Sequence, residues 1–105
     1  MALEEKFNYD NLEKMIIRLI ESKNDFTHYE FYKWIEMHFL LHIRSEAKLT
    51  PNLGWLIEYV ESLLDDEVDF NKLNDKDKKL FKYKHDILTN IFYQIHKQRL
   101  TDNKI

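Results

Sequence analysis

The 105-residue chain contains no cysteine, one glycine (Gly54) and one proline (Pro51). Without cysteine it can form no disulfide, no thiolate nucleophile and no Cys-ligated zinc site. With so little glycine and proline, the tight turns that an all-β chain needs are missing. No apolar run approaches the roughly 20 residues of a membrane-spanning helix, so no membrane partner is expected. The opening M-A-L-E-E-K lacks the basic and apolar regions of a secretory leader. The compartment expected on that ground is the cytoplasm. No glycine-rich phosphate loop or catalytic signature occurs, and no cofactor is expected.

What is present suits a small helical protein. Hydrophobic residues make up 44% and charged residues 33%, a folded rather than a disordered composition. Seven Phe, six Tyr and two Trp supply bulky core material. The net charge of −3 conceals an asymmetry. Residues 1–71 carry 7 Lys/Arg against 15 Asp/Glu, a balance of −8, whereas residues 72–105 carry 9 against 4, a balance of +5. Either region could neutralise the other or face a partner of opposite sign.

Periodicity predicts a single all-α domain over 1–105, an antiparallel bundle of about four helices. The first spans 11–22, with Asp10 as cap, Glu13 completing a capping box, and Leu12, Met15, Ile16, Leu19 and Ile20 as its stripe. The second spans 27–46. Thr27 and Glu30 form its capping box, with Phe26 and Phe31 as the hydrophobic staple. Phe31, Ile35, His38, Phe39 and His42 face inwards, while Lys33, Glu36, Met37, Leu40 and Arg44 face outwards. Met37 and Leu40 would thus suit a homodimer contact or a further contact within the monomer. The third helix spans 51–64, capped by Thr50 with Pro51 in the first helical position. Asp65–Asn71 reads as an ordered acidic loop anchored by Val68 and Phe70, with room for a short helical turn. The fourth helix spans 75–99, with Leu80, Ile87, Leu88, Ile91 and Ile95 as its stripe, and residues 101–105 fray.

Four groups of residues could carry function. His38 and His42 lie one turn apart and Glu46 continues their row, a donor set that zinc accepts. The H-E-x-x-H and E-x-x-H arrangements are absent, however, and the expectation is two imidazoles in or beside the core. A pH-sensitive pair is the further alternative. Lys84 falls inside the last apolar stripe, where a lysine snorkels unless it is catalytic. Lys76, Lys78, Lys79, Lys82 and Lys84 would serve a small nucleic-acid-binding regulator, although Asp75, Asp77 and Asp86 dilute them. The fourth group is acidic and aromatic: Trp55, Glu58, Tyr59, Glu61, Asp65, Asp66, Glu67 and Asp69. Clustered acids steer a cationic partner and aromatics anchor it. A non-enzymatic module that binds a basic protein through these residues is the leading expectation.

The run K-M-I-I-R-L-I-E-S-K-N-D-F-T-H-Y-E-F-Y-K-W-I (Lys14 to Ile35) and the later W-L-I-E-Y-V-E-S-L-L-D-D-E-V-D-F (Trp55 to Phe70) resemble small helical immunity proteins. These neutralise colicin-type or contact-dependent toxins. The resemblance covers about half of the chain and consists of helix order and an acidic stretch. It implies a bacterial inhibitor that binds a basic nuclease toxin and blocks its active site. No motif aligns residue by residue, so no family residue is transferred.

Overall fold

The computed structural model describes residues 3–103. Five α-helices follow one another: α1 (Tyr9–Ile20), α2 (His28–Ile43), α3 (Pro51–Glu67), α4 (Asp75–Leu80) and α5 (His85–Asn103). A 3-10 turn at Phe70–Lys72 lies between α3 and α4. No strand occurs among the described residues.

Local chemistry sets most boundaries. Thr27 accepts from the Glu30 amide at 2.9 Å and the Glu30 carboxylate accepts from the Thr27 amide at 3.0 Å, closing the expected capping box. Phe26 and Phe31, the expected staple, are both buried. Thr50 caps α3 ahead of Pro51, as expected. The cap of α1 is a correction. Asn8, not Asp10, accepts from the Asn11 amide, at 2.8 Å, so the helix starts two residues early. Asp10 instead lies in the first turn, where its charge suits the helix dipole.

The ends of α1 and α2 also come earlier than the expected Ser22 and Glu46. In each case a serine enters the left-handed region, Ser22 with φ 56° and Ser45 with φ 58°. Lys23 N–H then bonds Arg18 C=O at 2.8 Å, and Glu46 N–H bonds Leu41 C=O at 2.9 Å, the closing bond of a Schellman turn. Glycine is the usual residue there because it has no Cβ to clash. Relief of that strain, set against the looser unfolded chain, leaves Ser22→Gly and Ser45→Gly each more stable by about 0.5–1 kcal/mol. Chemical denaturation checks this; a glycine variant less stable than the parent would contradict it.

The fourth expected helix divides in two. Residues 81–84 form neither helix nor turn between α4 and α5, and the backbone of Phe81 is extended. The sequence there, F-K-Y-K, alternates apolar and charged residues, and an extended backbone puts Phe81 and Tyr83 on the same side. A continuous helix would point them about 200° apart. Tyr83 is buried and Phe81 half-buried, whereas Lys82 and Lys84 are exposed. Leu80, expected in the core, is consequently 63% exposed. Lys84 lies on no apolar stripe, and its carbonyl accepts the first bonds of α5, from Ile87 and Leu88.

Opposite ends meet between neighbouring helices. Tyr9 at the start of α1 donates to Asp102 at the end of α5, as do Thr50 and Asn52 from the start of α3. Glu13 of α1 meets His96 and Arg99 of α5 at 3.0 and 3.3 Å. Residues 101–103 therefore belong to α5 rather than to a frayed tail; the same expectation for 104–105 falls outside the described residues. Tyr32 of α2 bonds Asp65 of α3, and His42 bonds Glu58, so these two helices also run in opposite directions.

The core is one cluster fed by every helix except α4 and by the segments that join them, with Leu12, Ile16, Phe31, Trp34, Ile35, Leu56, Ile57, Val60, Leu64, Ile91 and Ile95 fully enclosed. Phe70 makes the 3-10 turn part of it. Its ring lies 4.9 Å from Tyr29, 5.0 Å from Tyr32, 5.2 Å from Phe81 and 6.4 Å from Tyr83.

Candidate protein-binding surface

Along α3, Leu53, Leu56, Ile57, Val60 and Leu64 turn inwards. Trp55, Tyr59, Ser62 and Asp66, spaced by three and four residues, therefore share the opposite face. Trp55 is 45% exposed. Its ring stacks on Tyr59 with centroids 5.0 Å apart and planes 11° from parallel. The Tyr59 hydroxyl donates to Asn90 of α5 at 3.0 Å, which fixes one member of the pair.

The shoulder of α3 towards α2 is acidic. His42 Nε2 donates to Glu58 Oε2 at 3.1 Å, leaving the Glu58 side chain 57% exposed. Further along, Tyr32 donates to Asp65 at 3.0 Å and to Glu36 at 3.2 Å. Glu61 sits among these acids. Burial, then the charges of Asp65, Glu36 and Asp66, push its carboxyl above the usual range. Among the described residues no cation forms an ion pair with Glu61, Asp65 or Asp66; Lys33 pairs with Glu36 at 2.9 Å. The result is a surface of like charge held together by the fold, which favours an arriving cation.

Of the expected contact residues, Trp55, Glu58, Tyr59, Glu61, Asp65 and Asp66 thus come together along α3. Glu67 is exposed at its last position. Asp69 lines the same cleft as Tyr32, Glu36 and Asp65, and its carboxylate also caps the 3-10 turn by accepting from the Asn71 amide at 3.0 Å. Asp65 and Glu67 are helical rather than part of a loop.

Three contributors come from outside the expected set. Glu36 joins the acidic shoulder from α2. His42 positions Glu58, and Gly54 makes room for His42: a Cβ on Gly54 would lie 2.8 Å from His42 Cε1. Only this last contributor had a signal in the sequence. A lone glycine inside a helix sacrifices helix propensity and calls for a packing reason.

The histidines do not converge. His38 packs between Phe7 and Trp34, at 5.7 and 5.1 Å, and burial lowers its pKa against a smaller opposing pull from the Glu5 backbone. His42 turns to Glu58, and Glu46 is exposed beyond the end of α2. No group of three metal-ligating side chains forms among the described residues. The lysines of 76–84 do not share one helix face either. Lys76, Lys78 and Lys79 lie on the short α4, with Lys78 5.5 Å above the Tyr29 ring, while Lys82 and Lys84 lie on the segment at 81–84. The outward apolar face of α2 is real, with Met37 45%, Leu40 37% and Ile43 55% exposed. No described helix is long and apolar enough to cross a membrane.

No family model, curated protein or solved structure matches the chain.

Proposed function

We propose that the chain is a non-enzymatic binding module that presents the outer face and acidic shoulder of α3 to a basic protein. In its most concrete form it is a bacterial, cytoplasmic immunity-type inhibitor of a basic toxin or nuclease. The observation that carries this reading is the juxtaposition of the exposed Trp55–Tyr59 stack with Glu61, Asp65 and Asp66, which form no ion pair among the described residues. Aromatic anchors supply contact area at little entropic cost, and the surrounding charge accelerates encounter with a cationic surface. The resemblance of the two quoted runs to immunity proteins points to the same kind of partner.

Joint replacement of Asp65 and Asp66 by lysine tests the surface. Association with a purified basic nuclease-toxin domain that the parent chain binds falls by about tenfold or more at low salt, and the difference shrinks as salt rises. The parent chain inhibits that domain at a one-to-one ratio. Full nuclease activity in the presence of excess parent chain, with binding unchanged by the double replacement, would refute the reading.

A further inference from the structure

The Trp55–Tyr59 stack and Glu58 form a more specific arrangement than a diffuse negative surface. Tyr59 is pinned by its bond to Asn90 and covers one side of the Trp55 ring, while Trp55 remains 45% exposed. Glu58 follows Trp55 by three residues, so the two side chains are neighbours on the helix surface. His42 occupies only Oε2 of the Glu58 carboxylate, and the side chain is 57% exposed. A flat π-surface thus lies beside a carboxylate oxygen that is oriented from behind.

We infer that Trp55, Tyr59 and Glu58 form a seat for an arginine side chain of the partner, which rests on the proposed binding function. A guanidinium is planar and weakly hydrated. It can lie on the indole while one edge donates N–H bonds to Glu58. A lysine ammonium is a compact, strongly hydrated point charge that gains the attraction of the acids but little from the flat ring. A nucleobase could stack on the same rings, but its phosphates would meet Glu58 and Asp66. Charge therefore selects a cationic occupant, and ring shape selects arginine among cations. Glu61, Asp65 and Asp66 attract any cation; the seat discriminates.

Nine-residue oligoarginine and oligolysine peptides at low salt separate these contributions, with a nine-residue oligothymidylate as a third probe. Trp55 reports directly: it is exposed and Trp34 is 2% exposed, so acrylamide quenching follows Trp55. The expected result is tighter binding of oligoarginine than oligolysine by about threefold to fivefold, protection of Trp55 from quenching by oligoarginine, and no oligothymidylate binding. Trp55→Leu and Glu58→Gln, both at exposed positions, bring the two peptides to equal affinity. Asp65→Lys with Asp66→Lys weakens both and keeps their ratio. Equal affinity for both peptides in the parent chain, unchanged by Trp55→Leu, would overturn the arginine seat and leave the acidic-surface reading standing. Failure of both peptides to bind would overturn the seat and the acidic-surface reading together, and oligothymidylate binding lost in Trp55→Leu would assign the stack to nucleic acid instead.

Discussion

Replacing Phe70 with alanine lowers the unfolding free energy by about 3–5 kcal/mol. The side chain is 6% exposed and touches four aromatic rings from two other parts of the chain: Tyr29 and Tyr32 of α2, then Phe81 and Tyr83 of the segment at 81–84. Removing it deletes the transfer energy of a benzyl group and the edge-to-face contacts with Tyr29 and Phe81, and it leaves a hole that flat rings cannot easily refill. The 3-10 turn and the segment at 81–84 have no helix ladder to fall back on, so their order depends on this contact. Phe70→Leu retains most of the volume and loses roughly a third of that energy. Denaturant midpoints measured at constant m-value give both numbers. A loss below about 1 kcal/mol for the alanine variant would show that this region unfolds separately from the core.

The sequence made the local decisions legible and the long-range ones obscure. Thr27 with Glu30, and Thr50 with Pro51, act within one turn of their own helix, so residue type and spacing suffice to find them. Asn8 and Asp10 are both good caps, and nothing local decides between them. The break at 81–84 was harder. Leu80, Ile87, Leu88, Ile91 and Ile95 keep a helical stripe running through it, and four alternating residues are too few to outweigh that stripe. The non-helical form prevails because Phe81 and Tyr83 reach Phe70 together and because a side chain of α2 satisfies the Tyr83 amide. On the candidate surface the same division holds. Trp55 and Tyr59 are visible as off-stripe aromatics four apart. The parts played by Glu36 and His42 arise from the packing of α2 on α3, which no local pattern encodes.

The side chain that satisfies the Tyr83 amide is His28, and it makes stability fall on mild acidification. His28 is 6% exposed and accepts from Tyr83 N–H at 3.0 Å through Nδ1, so that nitrogen must carry no proton. Burial, followed by the charge of Lys82, holds its pKa down at about 4, against 6.5 for the unfolded chain. Between those values the unfolded state binds the proton and the folded state does not, so unfolding becomes more favourable as pH falls. The contribution of neutral His28 is fully present above about pH 6.5 and is lost progressively towards pH 4. The full separation corresponds to about 3 kcal/mol, most of it spent before the carboxylates titrate. His38, also lowered by burial, adds a smaller effect of the same sign. Glu61, whose carboxyl is raised, works in the opposite sense at lower pH. Denaturation series at pH 7.5, 6.0 and 5.0 for the parent and for His28→Gln isolate the histidine. The parent loses stability across the series, whereas the glutamine variant starts lower and loses much less, keeping only the smaller effect of His38. Equal slopes in the two proteins would mean that His28 is protonated as readily folded as unfolded, and that its bond to Tyr83 does not hold the segment at 81–84 against α2.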